Sequence, residues 1–113
     1  MLPDAGDIAW VEFDPARGTE QAGRRPALIL TPQAYHLRSP RALVCPITSN
    51  IRPWAFKIIL PEGLKTTGAV LVDRLRAIDR SERLFTIIER APGEVVVEAI
   101  QRLTALLGSR FPV

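Results

Sequence analysis

The stretch Arg24-Arg25-Pro26-Ala27-Leu28-Ile29-Leu30 sets two permanent charges and a proline against the mouth of a short apolar run. Ala27 to Leu30 reads as a short strand, and Pro26, lacking an N–H for a ladder, is expected at a strand edge or start. The same design recurs on both sides. Ile8–Phe13 (IAWVEF), Ala42–Ile47 (ALVCPI), Phe56–Leu60 (FKIIL), Ala69–Val72 (AVLV) and Phe85–Ile88 (FTII) are further runs, separated by Asp-Pro, Gly, Pro and Ser signals. Ten prolines fit a loop-rich β protein, with Pro46 also expected at an edge or start. Near the C-terminus the period changes. From Pro92 to Leu107 apolar residues fall at Val96, Ala99, Ile100, Leu103, Leu106 and Leu107, the spacing of one helical stripe laid against a core. Pro92 suits the first turn and Gly108 a C-terminal stop. Shorter helical pieces are expected at Pro32–Leu37 and near Arg80–Arg83, where Ser81 would cap. The expected fold is mainly β with α: five to seven short strands in a small barrel, closed off by an amphipathic C-terminal helix.

A chain of 113 residues, 47% hydrophobic and 24% charged, suggests one domain over 1–113 with a modest core. Cores of this size are often reinforced by self-association, so a homodimer is expected. The net charge of +3 permits an anionic partner. Thirteen of the fifteen cations are arginine, the lysines being Lys57 and Lys65. Arginine can grip phosphate with two bonds and stack on bases, although a GC-rich coding sequence produces the same bias. Cys45 is the only cysteine, set in an apolar run, so it reads as a buried, inert thiol and no intrachain disulfide is possible. No basic-then-apolar signal opens the chain and no apolar run approaches membrane-spanning length, so a soluble cytoplasmic protein with no membrane partner is expected.

Several chemistries lack their residues. His36 is the only histidine, which excludes a paired-histidine nuclease within one chain; its surroundings (AYHLRS) read as surface. There is no G-x-S-x-G elbow, phosphate-binding loop or dinucleotide fingerprint. Glu12 and Asp14, with Asp7, form either a weak divalent-cation site or a solvated strand face before an Asp-Pro turn; no other clustered carboxylates support a metal, and no cofactor is expected.

What remains is three polar clusters at strand ends: Thr19–Pro26, Pro46–Asn50 and Asp73–Arg76. Together they supply guanidinium groups, hydroxyls, an amide and carboxylates. RNA brings its own nucleophile, the 2′-hydroxyl, so a protein can cleave it by orienting that oxygen, assisting its deprotonation and stabilising charge on the phosphorane. Arginine suits the last task, a threonine hydroxyl adds a hydrogen bond to a phosphate oxygen, and a carboxylate of suitable pKa can act as base.

The same residues carry a resemblance to the MazF/PemK-type toxins, or mRNA interferases, over nearly the whole chain. Gly6-Asp7-Ile8-Ala9-Trp10-Val11-Glu12-Phe13-Asp14-Pro15 is similar to the family's opening mark. Glu20-Gln21-Ala22-Gly23-Arg24-Arg25-Pro26 resembles its central motif, and Pro46-Ile47-Thr48-Ser49 its threonine segment. Thr66-Thr67-Gly68-Ala69-Val70 and Val72-Asp73-Arg74-Leu75-Arg76-Ala77-Ile78-Asp79 resemble the later pair. The resemblance implies an SH3-like barrel with a C-terminal helix, acting as a homodimer. It implies a sequence-selective, metal-independent endoribonuclease for single-stranded RNA, leaving a 2′,3′-cyclic phosphate and a 5′-hydroxyl. It also implies a cognate antitoxin whose extended acidic tail blocks the RNA groove.

Carried over by position, Arg25 and Thr48 would be catalytic. Arg25 would stabilise the phosphorane and help protonate the leaving oxygen; Thr48 would bind a phosphate oxygen or, alternatively, cap a turn. A guanidinium that stays charged is a poor base, so Glu20 is the candidate for the 2′-OH proton, unless it pairs with Arg24 or Arg25 to hold the loop. Gln21, Arg24, Ser49, Asn50, Trp54, Phe56, Thr67, Asp73 and Arg76 are candidates for holding RNA. Trp54 and Phe56, alternating around Ala55, would share a strand face, with base stacking and core or interface packing as alternative roles. Two positions depart from the family pattern: Leu71 stands where some relatives carry arginine, and Arg74 where glutamine is common. Two rival functions share the fold: a toxin that poisons a DNA topoisomerase, and a non-catalytic SH3-like module binding RNA or protein. The related gyrase poisons carry a Trp-containing tail that Gly108–Val113 lacks.

Overall fold

Alternation along the apolar runs sets the architecture. In the computed structural model, which describes residues 2–13 and 23–108, seven strands form one bent antiparallel sheet. They are β1 (Asp7–Glu12), β2 (Arg24–Ile29), β3 (Arg41–Thr48), β4 (Lys57–Ile59), β5 (Ala69–Leu71), β6 (Arg76–Asp79) and β7 (Phe85–Arg90). Their order is β4-β5-β3-β2-β1-β7, with β6 paired to the first half of β3. A short helix α1 (Gln33–His36) follows β2, and α2 (Gly93–Leu106) ends the described chain. Among the described residues no ladder joins β6 to β7, so the expected small barrel with its C-terminal helix is left open along that seam.

The bent sheet separates two cores. Ala9, Val11, Phe13, Ala27, Ile29, Ala42, Val44 and Ile78 fill one. Ile8, Leu28, Cys45, Ile47, Ile58, Val70 and Val72 form the other, covered by Val95 and Ala99 of α2. Neighbouring residues such as Leu28 and Ile29 serve opposite cores because strand side chains alternate. Strand β3 is buried on both faces from Val44 to Ile47, which is why its sequence reads as a continuous apolar run.

Several readings change in detail. β5 stops at Leu71 because Val72–Arg74 turns into a single 3₁₀ turn. β6 was not legible: in Arg76-Ala77-Ile78-Asp79 only Ile78 is buried. Arg80–Arg83 is a turn and not a helix; Ser81 donates its N–H to Asp79 (2.9 Å), so the aspartate does the capping expected of the serine. Pro46 lies inside β3, at the gap where that strand's outer partner changes from β6, ending at Val44, to β5, starting at Ile47. Pro26 precedes the start of β2–β3 pairing and so has a strand neighbour on one side only. His36 is buried and not a surface residue. Its Nδ1–H donates to the Pro3 carbonyl (2.8 Å) and its Nε2 lies 2.7 Å from Thr31 Oγ1, tying the N-terminal segment to α1. On α2 the contact face runs through Val95, Ala99, Val96 and Leu103, whereas Ile100 and Leu107 of the expected stripe are 49% and 71% exposed. Each residue advances about 100° around a helix, so a face centred on Val95 and Ala99 leaves Ile100 at its margin.

Candidate active site

The β2–β3 register pairs Ala27 with Pro46 and Leu28 with Cys45. Continued by two residues on each strand, it brings Arg25 opposite Thr48. There the strands part: Arg25 pairs with Val11 of β1, and Thr48 with Ala69 of β5. The divergence opens a mouth over the Val11–Ala27–Val44 core. By alternation Arg25 and Thr48 stand on the face of that core, with Arg25 exposed and Thr48 half-buried.

The turn beyond Thr48 is wound around its hydroxyl. Thr48 Oγ1 accepts the Asn50 N–H (3.1 Å), and Asn50 Oδ1 accepts the Arg52 N–H (3.0 Å). Capping and phosphate contact are compatible roles, because a hydroxyl that accepts one bond still has its proton to donate. Ser49 and Asn50 are exposed beside it. Thr67 is brought to the same mouth by Gly68. A side chain at Gly68, whose φ is +124°, would drive its Cβ into the Thr48 carbonyl oxygen, so only glycine permits this approach.

Trp54, Phe56 and Asp73 form a second group. The Trp54 Nε1–H donates to Asp73 Oδ2 (3.0 Å), and the two aromatic rings meet edge to face at 5.6 Å. They lie in a turn before β4 and not on a strand face. Phe56 packs on the core while Trp54 is 53% exposed, so core packing accounts for Phe56 alone. Arg102 of α2 donates to the carbonyls of Ala55 and Lys57 and is held by Glu98 one turn earlier. This anchor carried no signal in the sequence beyond its place on the helix. Burial, and then the nearby Asp73 carboxylate, pushes the Cys45 thiol up to about 12, which keeps it protonated and inert.

The remaining arginines separate. Arg76 sits opposite Val44, on the face of Arg25 and Thr48, with its guanidinium 5.2 Å from the centre of the Phe13 ring. Arg24 pairs with Glu12 on the opposite face and lies 5.6 Å from the Trp10 ring. Glu20 and Gln21 lie outside the described residues. Asp7, one of the weak metal candidates, is paired with Arg90 at 3.1 Å. Among the described residues no group of three or more His, Cys, Asp or Glu converges as a metal site.

Two clefts meet at Thr67. One, of about 350 Å³, is lined by Trp10, Pro26, Lys65, Thr66, Thr67 and Ile88. The other, of about 330 Å³, includes Ser49, Ile51, Ile59 and Thr67. A roomier cleft of about 480 Å³ lies at Leu37–Pro40 and Arg80, at the other end of β3 and away from this chemistry. The mouth offers guanidinium groups and hydroxyls, and the turn before β4 an exposed indole, side chains suited to a flexible polyanion with bases.

The chain matches the family described as "PemK-like, MazF-like toxin of type II toxin-antitoxin system" over residues 4–107. The endoribonuclease toxin ChpB of Escherichia coli K12 is 44% identical over 110 residues, covering 92% of this chain and 93% of that protein. The endoribonuclease toxin MazF of the same strain is 36% identical over 104 residues, covering 92% and 89%. Among solved structures, MazF from Deinococcus radiodurans superposes with a TM-score of 0.86 at 40% identity, covering 96% of this chain and 98% of that one. A MazE–MazF structure from the same organism gives 0.83 at 36% identity, covering 96% and 97%. No helix is long and apolar enough to cross a membrane among the described residues.

Proposed function

Because the chain belongs to the PemK-like, MazF-like toxin family of type II toxin–antitoxin systems, we propose that it is an endoribonuclease toxin that cleaves single-stranded RNA at the mouth between β2 and β3. The reading takes residues 1–113 as one toxin domain. The observation that carries it is the β2–β3 register, whose last pair is Ala27 with Pro46; extended two residues to where the strands part, it directs Arg25 toward Thr48.

In the mechanism, the RNA 2′-oxygen attacks the adjacent phosphorus, the bond to the 5′-oxygen breaks, and a 2′,3′-cyclic phosphate and a 5′-hydroxyl result. The guanidinium of Arg25 faces the charge that grows on the phosphorane and supports protonation of the departing 5′-oxygen. The Thr48 hydroxyl, oriented by the Asn50 N–H, keeps its proton and donates a hydrogen bond to a non-bridging oxygen. Glu20 is assigned the 2′-OH proton. Ser49, Asn50, Thr67 and Arg76 line the path of the strand, with Trp54, fixed through its bond to Asp73, as a stacking surface. Charge stabilisation comes from fixed cations of the protein, so the reaction is assigned no metal or cofactor.

The Deinococcus relative has been solved together with MazE. The same kind of partner is proposed here: an antitoxin whose extended acidic tail occupies the cationic mouth. A homodimer completes the assembly, and the cytoplasm, where mRNA is translated, is the site of action.

The test is incubation with mixed-sequence RNA in EDTA, followed by end mapping. Cleavage at a restricted set of sequences, with cyclic phosphate and 5′-hydroxyl ends, is expected. Intact RNA, or cleavage only with magnesium, would overturn the mechanism.

A further inference from the structure

The cleft beside Trp10 is built from parts that the mechanism above does not use. Trp10 is 40% exposed although Ala9 and Val11, its neighbours on β1, are fully buried. Its strand partner Pro26 offers a flat ring next to the indole. Ile88 enters the same cleft because β7 carries a bulge there: Ile8 pairs with Glu89 and Ala9 with Ile87, leaving Ile88 over. At about 350 Å³ the space is small-ligand sized, at the low end of the roughly 300–1,000 Å³ usual for such clefts.

The opposite wall is polar and fixed. The backbone N–H groups of Lys65 and Thr66 both donate to the Glu89 carboxylate, at 3.0 and 2.7 Å. Partial desolvation raises the Glu89 pKa, but these bonds and the nearby Thr66 hydroxyl outweigh it and hold the carboxyl below its ordinary value. Thr66 is 8% exposed, and its Oγ1 is buried without a well-formed hydrogen bond, near the carboxylate. That hydroxyl is the side-chain oxygen on this wall left without a bond of its own.

Position decides what the cleft is for. Thr67 lines it, and the next residue, Gly68, packs against the backbone of Thr48. Resting on the ribonuclease reading, we infer that this cleft is a subsite for one nucleobase of the RNA, stacked on Trp10 with its polar edge toward Thr66, beside the phosphate held at Thr48. The flat rings suit a base, and the guanidinium of Arg24, over the indole, and Lys65 at the rim suit the phosphates flanking it. The subsite also gives the paired arginines separate tasks, Arg25 at the phosphorus and Arg24 at the neighbouring nucleotide.

The experiment compares wild type with Trp10→Ala, Trp10→Phe and Thr66→Val on a randomised RNA, with every cut mapped. Trp10→Ala is expected to erase the base preference at one position beside the cut, keep the others, and leave the product ends unchanged. On the preferred substrate its kcat/KM falls about five- to a hundredfold, and Trp10→Phe restores most of the loss. Thr66→Val alters which base is preferred at that same position. An abasic nucleotide there weakens wild type but costs Trp10→Ala nothing further. Unchanged preferences in both Trp10→Ala and Thr66→Val would overturn the subsite while leaving the ribonuclease reading intact. So would an abasic loss equal in wild type and Trp10→Ala, or defects confined to binding an acidic peptide. If wild type cuts no RNA, both readings fall together.

Discussion

Adjacent residues on a strand point to opposite faces, so Arg24 and Arg25 meet different surroundings. Arg25 stands over the mouth shared with Thr48, and Arg24 over Trp10. Removing one fixed donor to a developing oxyanion costs about 10²–10³ in kcat. Arg25→Ala should lose that much in single-turnover cleavage, with little change in denaturant midpoint because the side chain is exposed. The motif made Arg25 legible in the sequence, but not the face it shares with Thr48, because facing depends on strand register across residues far apart in the chain. Gly68 is the sharper structural test. Alanine there must hold φ near +124° and push its Cβ into the Thr48 carbonyl. Gly68→Ala should cost about 1–3 kcal/mol or more in urea unfolding, the range for a strained backbone position. It should also displace Thr48 and slow cleavage, whereas Gly63→Ala, with open space around it despite a φ of +99°, should leave cleavage unchanged.

At the level of elements, α2 shows what periodicity reveals and what it leaves open. The helical spacing from Val96 onward was plain, yet the contact face lies about one residue earlier, through Val95 and Ala99. Hydropathy treats Val95 and Ile100 alike; only the docking angle of the helix distinguishes them. Val95→Ala should therefore cost about 2 kcal/mol in chemical unfolding. Ile100→Ala, measured at a concentration where the chain is monomeric, should stay within about 0.5 kcal/mol. The short strands were legible because their apolar runs end in turn residues. β6 was not, because its pairing with β3 is carried by backbone bonds while a single buried side chain, Ile78, marks it in sequence. The turn before β4 escaped for a related reason: Trp54 and Phe56 mimic a strand's alternation, but Asp73 and Arg102 hold the segment from outside it.

For the whole molecule, the net charge of +3 matters less than where the cations stand. Arg25 and Arg76 share the face of the mouth, and Arg24 and Lys65 border the Trp10 cleft. If one strand of RNA follows that route, its affinity falls with salt, and the log–log slope changes by about 0.7 for each phosphate contact removed. Arg76→Gln should flatten the slope by about that amount, measured by fluorescence titration of a non-cleavable 2′-deoxy oligonucleotide; Arg38→Gln, beside the distant cleft, should not. This sheet also has a consequence in time. β1 joins its last partner by pairing Asp7 with Arg90, and β3 needs β5 and β6, made after Thr48, on its outer side. Such sequence-distant pairings close late and slowly. A chain still emerging from the ribosome therefore holds β2 and β3, with Arg25 and Thr48, before β5 and β7 brace their neighbours, so on the ribonuclease reading the mouth takes its final shape only once β7 has been made.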